Sequence, residues 1–491
     1  MKIITIALLC LVPYVWLAWP LVHYGPYNSD EGWYLYDSYL TWQGQIPYQD
    51  FAFPQPPMVL LVHGFFQAMW GPSFYLGRIV NMVLGALIIF LTSWLAGRLG
   101  GTVAAFFAGL MLAASPWFAV HMVSVSTYAL AALGLVLLIF ASLTQKTSLA
   151  SGIAVLVCWT RLPLFIFASL VPFLSFTYKR HVKWHMPVVT IFFVLAFFIV
   201  PFFVPKGADP WLHIVGYHTY SRAGLLSLPS SPEPIIKATW NWLLFERHEY
   251  WPTYGIYWFL AFLGLVNMRT DLDRRRLGII LGVAVIVAAG QSLAQNVTYD
   301  VPLLPLLAVV SGISWARLLA GWRLPSAYTC LVLIGLCLPV LLYQLHFNAY
   351  EGLGESEVSH ADIRRVADYI SQHSTSTDLI MTPELYIALE AQRAALPGME
   401  LGRFFYLPDI SEREARQRLG LTPGMFKDLV VSRQAKFIVL STAHSWERAP
   451  QGKQQYADEV ERPLLSSGYT VVPDLHMVEP RIESLAVYER Q

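Results

Sequence analysis

Residues 29–81 read SDEGWYLYDSYL (29–40), TWQGQIPYQDFAFPQPP (41–57) and MVLLVHGFFQAMWGPSFYLGRIVN (58–81). Two adjacent carboxylates, Asp30 and Glu31, open the stretch, and Arg78 closes it at the edge of an apolar run. Apolar runs flank it at 3–22 and 76–95, each near the ~20 residues that cross a bilayer core. The stretch is therefore a long aromatic- and proline-rich loop between two membrane spans. Charges beside a bilayer are costly unless they are used, so Asp30 and Glu31 are the first residues to weigh for chemistry.

Working outward, the pattern repeats. Apolar runs follow at 102–120, 127–143, 148–160, 163–178, 187–204, 254–268, 277–291, 301–319 and 327–345, giving about eleven spans. The fifth and sixth meet at Trp159–Pro163 and also suit one shallow hairpin. Across 491 residues the chain is 56% hydrophobic and 13% charged, well below the charge of a soluble domain. A net charge of +1 offers nothing to nucleic acid. Lys2 and the run after it resemble a signal peptide, but no small-x-small cleavage site follows, so an uncleaved first span is expected. The four cysteines (Cys10, Cys158, Cys330, Cys337) lie in apolar runs without ligand spacing and read as small buried residues.

Lys and Arg set the orientation. With the N-terminus inside, the inner loops carry Arg98, Lys146, Lys179, Arg180, Lys183, Arg269, Arg274–Arg276, Arg317 and Arg323, while the short outer loops carry little beyond Arg161. The acids sort as sharply. Of 32 Asp and Glu, 21 lie from His346 onward, and eight of the other eleven sit in two outer loops, 23–75 and 205–253. None falls inside a predicted span, which argues against a proton-coupled transporter. The chain thus divides into a membrane domain, 1–345, and a soluble extracytoplasmic domain, 346–491. In the latter, helix patterns at 362–372, 384–394, 411–419 and 456–467 alternate with strand patterns at 378–381, 436–440, 469–472 and 485–488, an α/β arrangement.

Asp30 suits a general base on a hydroxyl or amine. It equally suits the N-terminus of a helix over 32–42, where acids favour the dipole. Pro57 suits the first turn of a second helix, through Met69. His213, His218 and His248 with Glu246 and Glu249 leave a divalent metal open, though only His248 and Glu249 are close in sequence.

The order of these parts carries a resemblance. An apolar first helix precedes Asp30-Glu31 with its aromatics. Then come Pro47-Tyr48-Gln49-Asp50-Phe51, Pro54-Gln55-Pro56-Pro57 and Phe74-Tyr75-Leu76-Gly77-Arg78. This resembles the GT-C type membrane glycosyltransferases, in the branch that includes protein O-mannosyltransferases and the aminoarabinose transferase of lipid A. The resemblance implies a polyprenyl-phosphate-linked sugar as donor and inverting transfer to a glycan, lipid or protein acceptor at the outer face. It implies Asp30 as base, Glu31 in support, and Arg78 orienting the loop or meeting phosphate. Gln55 stands where some members carry lysine, and 296–300 lacks an arginine that others have. Phosphate must then be met by other cations, among them Arg222 and Lys237 beside the prolines of the second loop, or by a metal. Tyr34, Asp50, His63 and Glu249 complete the expected loop and substrate residues. A lipid-linked glycan flippase and a non-catalytic envelope assembly protein are the alternatives from other classes.

Overall fold

The computed structural model describes residues 2–25, 29–144, 146–161, 164, 209–217, 257–259, 261, 262, 278, 281, 282, 284, 297–321, 360–441, 457–475 and 485–490. Five of the predicted spans (163–178, 187–204, 254–268, 277–291 and 327–345) lie largely or wholly outside these residues.

The N-terminal span is α1 (Lys2–Leu9) and α2 (Leu11–Tyr24), separated at Cys10. Together they form one apolar stretch, Lys2–Tyr24, long enough to cross a membrane. One side faces outward with Val12, Trp16 and Trp19 more than half exposed, as a lipid-facing surface requires. The other side packs on α5 (Phe74–Ala113), where the Tyr14 hydroxyl donates to the Met82 carbonyl at 3.2 Å.

The 40 residues of α5 do not form one rod. Gly101 adopts φ 85°, ψ −175° in the middle of it, a conformation open to glycine and strained for other residues. The chain reverses there. The Ser93 hydroxyl reaches the Ala105 carbonyl at 2.8 Å, twelve residues on, whereas a straight helix would separate them by about 18 Å. Small residues line the fold-back, so the two arms approach closely. The predicted span 76–95 lies in the first arm, whereas 102–120 covers the second arm and, past a break at Ala114 and Ser115, the first turns of the next helix. The second arm ends at Ala113, two residues before Ser115, which caps α6 (Pro116–Val123) by accepting from the Phe118 N–H. Helix α7 (Tyr128–Leu143) leaves α6 at a 109° bend, α8 (Thr147–Thr160) follows, and α9 (Leu304–Gly321) packs along α5. Among the described residues, three helices are long and apolar enough to cross a membrane, and the bent α6–α7 pair makes a fourth if counted as one.

The loop 23–75, expected at the outer face, forms two helices, α3 (Ser29–Trp42) and α4 (Met58–Trp70), packed on each other. Between them the chain turns at 44–51 and runs extended through Phe53 and Pro54, where proline denies further helix.

The C-terminal region is an α/β sheet with strand order β2-β1-β3-β5-β4. The strands are β1 (Leu379–Met381), β2 (Ala394–Ala395), β3 (Ala435–Ser441), β4 (Tyr469–Val471) and β5 (Leu485–Arg490). Strands β2, β1 and β3 are parallel, and β5 runs antiparallel to both β3 and β4. Its helices are α10 (His360–Gln372), α11 (Leu385–Ala391), α12 (Glu412–Gln417), α13 (Pro423–Ser432) and α14 (Arg462–Ser466). The expected helix over 384–394 stops short. Gln392 turns left-handed after α11, and Ala394 and Ala395 become the edge strand β2. Helix α13 was not anticipated from the sequence, although Thr422 and Pro423 are a cap and a first-turn proline.

This sheet does not stand apart from the loop. One continuous apolar core joins Trp33, Tyr34, Leu35, Phe51 and Phe53 of the loop to Ile380, Tyr386, Leu401 and Phe437 of the C-terminal region. Gly32 marks the contact, since a Cβ on it would lie 2.8 Å from the Tyr386 backbone nitrogen and 2.9 Å from its ring. Gly32→Val is therefore expected to push α11 off α3 and destabilise the protein by about 1–3 kcal/mol. Faster proteolytic release of the C-terminal region from the purified variant would show it.

Candidate functional site

Helix α3 begins with Ser29-Asp30-Glu31, and the two acids point into different surroundings. Glu31 is fully buried and faces α5. Arg78 meets it as a fork, with Nη2 2.7 Å from Oε1 and Nε 3.0 Å from Oε2. The Val125 N–H, in the bend between α6 and α7, donates to Oε2 at 3.0 Å. Arg78 uses its remaining edge on the end of α2. Nη1 donates to the Leu21 carbonyl at 3.0 Å and to the Gly25 carbonyl at 3.4 Å, and the guanidinium lies 4.6 Å from the Phe74 ring. A cation at a helix C-terminus also suits the dipole. Glu31 and Arg78 thus tie α2, α3, α5 and the α6–α7 bend together. Arg78, a candidate phosphate contact in the sequence, is buried in this scaffold.

Asp30 faces the other way. Its side chain is 30% exposed. The Trp33 indole N–H donates to Oδ1 at 3.3 Å, one helical turn on. Arg403, from a short 3₁₀ turn of the C-terminal region (Gly402–Phe404), brings Nε to 3.4 Å from the same oxygen. Asp30 therefore sits where α3, the C-terminal region and solvent meet. A carboxylate held in place yet open to solvent is able to accept a proton from an incoming hydroxyl or amine.

The other expected residues are placed as follows. Tyr34 stacks on Trp33 with centroids 4.0 Å apart and meets Phe53 edge-on. Asp50 accepts the Ile46 N–H at 2.7 Å and closes a turn. Gln55 offers its backbone carbonyl to the Tyr48 hydroxyl at 2.7 Å. His63 is buried on α4 beside Asn81 without a hydrogen bond of good geometry, and burial lowers its pKa to about 4. It is neutral at physiological pH. Arg222, Lys237 and Glu249 lie outside the described residues, as do His218, Glu246 and His248. Of the suggested metal set only His213 is described. It is buried against Tyr48, and burial lowers its pKa to about 4. Among the described residues no three His, Cys, Asp or Glu side chains gather as a metal site.

Several residues around α3 carry no local sequence signal. Glu390 accepts the Phe74 N–H at 2.7 Å and so caps α5 from the C-terminal region. The Tyr36 hydroxyl accepts the Ala395 N–H at 2.7 Å, covering the edge strand β2. Asp37, buried on α3, has neither carboxylate oxygen hydrogen-bonded among the described residues. Burial, and then the charge of nearby Glu400, raise its pKa well above the usual carboxylate range. Burial likewise raises Glu400 from 4.5 to about 7, against the Gly398 N–H bond at 2.7 Å.

These two acids give α3 docking a pH dependence. A carboxyl whose folded pKa is raised binds more protons when folded. Its cost is absent below the unfolded pKa and complete above the folded one. Stability is therefore expected to fall as pH rises from about 4.5 to about 7, by roughly 3 kcal/mol for Glu400 alone. Thermal unfolding of wild type against Glu400→Gln across that range checks it, because the variant should lose that share of the slope.

No family model matches the chain, and no curated protein matches it. Solved structures do. The crystal structure of ArnT from Cupriavidus metallidurans bound to undecaprenyl phosphate aligns with a TM-score of 0.61 at 16% identity, covering 99% of this chain and 97% of that one. Its apo form aligns with a TM-score of 0.58 at 15% identity, over the same shares. The Archaeoglobus fulgidus oligosaccharyltransferase in complex with zinc and sulfate aligns at 0.54 and 12% identity, covering 96% of this chain and 72% of that one. Agreement over the whole length includes the C-terminal region, so the likeness is one of architecture rather than of a shared helical bundle. The chain has the fold of the GT-C membrane glycosyltransferases.

Proposed function

We propose that the protein is an integral-membrane glycosyltransferase that moves a sugar from a polyprenyl-phosphate donor to an acceptor at the outer face, with Asp30 as general base. The observation that carries the reading is the division of labour between adjacent acids. Glu31 is buried in an ion pair that builds the scaffold, while Asp30 is held by Trp33 and Arg403 at a position open to solvent. The fold shared with an ArnT structure containing undecaprenyl phosphate supports a lipid donor of that chemistry. In the step itself, the acceptor oxygen or nitrogen attacks the anomeric carbon and gives its proton to Asp30. The bond from that carbon to phosphate breaks, and its electron pair leaves with the polyprenyl phosphate. Attack opposite the leaving group inverts the anomeric centre. The departing phosphate needs a positive partner. Arg222 and Lys237 are the candidates from the sequence, and Arg78 is better assigned to positioning.

The topology belongs to the same proposal. About eleven spans with the N-terminus inside put α3, α4 and the C-terminal region on the extracytoplasmic side of the inner (plasma) membrane. The experiment is transfer of labelled sugar in membranes expressing wild type or Asp30→Asn at equal levels. Loss of transfer in the variant is expected, and undiminished transfer would remove the base assignment.

A further inference from the structure

We infer that the Gly402–Phe404 turn of the C-terminal region positions Asp30, with Arg403 as the positioning residue, so that this region is part of the catalytic apparatus rather than a cap over it. The inference rests on the reading of Asp30 as base and extends it to a residue nearly 400 positions away.

Three observations converge on the turn. First, two contacts from different directions meet at one oxygen of Asp30, Oδ1: a hydrogen bond from the Trp33 indole at 3.3 Å and an ion-pair contact with the Arg403 Nε at 3.4 Å. Contacts from two directions fix the plane of a carboxylate, as a proton acceptor requires. Second, Gly402 is built to approach Trp33. It adopts φ 55°, and a Cβ there would lie 3.2 Å from the Trp33 ring and 3.3 Å from the Pro383 carbonyl. The turn thus holds Asp30 directly through Arg403 and indirectly through Trp33. Third, Arg403 is itself supported. Its guanidinium lies 4.7 Å from the centroid of the Phe404 ring, and Phe404 meets Tyr217 of the second outer loop edge-on at 5.7 Å. Arg418 reinforces the junction by donating to the Gly216 carbonyl at 3.0 Å.

A purely stabilising role fits poorly. The Arg403 and Asp30 side chains are 40% and 30% exposed, and ion pairs so open to water contribute little to stability. The Arg403 Nε is nevertheless buried, and among the described residues it completes no hydrogen bond of good geometry. Arg78, by contrast, is buried and hydrogen-bonded on both edges. The Arg403–Asp30 ion pair, exposed and weakly stabilising, is thus left with orientation as its role.

The test uses the full chain in proteoliposomes loaded with a lipid-linked sugar extract, and reads undecaprenyl phosphate release together with binding of undecaprenyl phosphate itself. Arg403→Ala should lower turnover roughly ten- to hundredfold, with undecaprenyl phosphate binding and melting temperature near wild type. Arg403→Lys should recover part of the loss. Wild-type turnover in Arg403→Ala would overturn the inference. So would lost undecaprenyl phosphate binding, which would make Arg403 a phosphate contact, and so would failure of lysine to restore any rate. Asp30→Asn run alongside separates the two readings. Full turnover in that variant removes both. Loss there, with Arg403→Ala unimpaired, removes only the positioning role.

Discussion

Asp30→Asn is expected to lower sugar transfer by roughly 10²–10⁴-fold with the protein still folded and membrane-inserted. The substitution is close to isosteric. The amide oxygen can still accept from the Trp33 indole, and only the ion pair with Arg403 is lost. Both side chains of that pair are substantially exposed, so its removal should cost at most about 1 kcal/mol. What disappears is the ability to take a proton. Affinity for the donor should hold, because the phosphate leaves from the face of the sugar opposite the base. The checking measurement is therefore double: turnover from labelled donor and binding of undecaprenyl phosphate, at matched expression. Loss of both in parallel would point to Asp30 shaping the donor site rather than taking a proton. Asp30→Glu should retain part of the activity, since a longer carboxylate remains a base but loses its aim.

Much of this architecture was legible because it follows from local rules. Apolar runs of membrane length located α1–α2, the two arms of α5, α7 and α9. Acids ahead of an aromatic run located α3, and Pro57 the start of α4. Strand patterns such as KFIVL placed β3 within a residue at each end. The break between the arms of α5 was located by the gap between the apolar runs 76–95 and 102–120, which holds Arg98, but the backbone reversal at Gly101 was not read from the sequence. The site was legible only on its loop side. Asp30 and Glu31 look alike in sequence, and what separates them is a long-range fact. Glu31 points at Arg78, and Asp30 points at a turn 373 positions later. Arg403 lies in the stretch GRFF, with no periodicity or motif to mark it. Glu390 and Glu400 read as ordinary surface acids of a soluble domain, yet one caps α5 and the other is buried beside Asp37. The division at residue 345 hid this, since a boundary drawn on composition cannot show that the two sides share one core.

The Glu31–Arg78 pair should behave in the opposite way to Asp30. Glu31→Ala is expected to destabilise the protein by about 3–5 kcal/mol, because it strands a buried guanidinium. It also leaves the Val125 N–H without its partner. Arg78→Ala should cost a similar amount by stranding Glu31 and baring the carbonyls at the end of α2. In a marginally stable protein either loss is a large share of the total, so both variants should show low membrane abundance and early thermal unfolding in detergent. The informative variant is the double change Glu31→Leu with Arg78→Met. Replacing a buried pair by apolar residues of similar size often restores stability, even where each single change does not. Recovered folding with recovered transfer would assign the pair to the scaffold alone. Recovered folding without transfer would mean that Glu31 or Arg78 also touches substrate, and the division of labour between the two adjacent acids would then have to be redrawn.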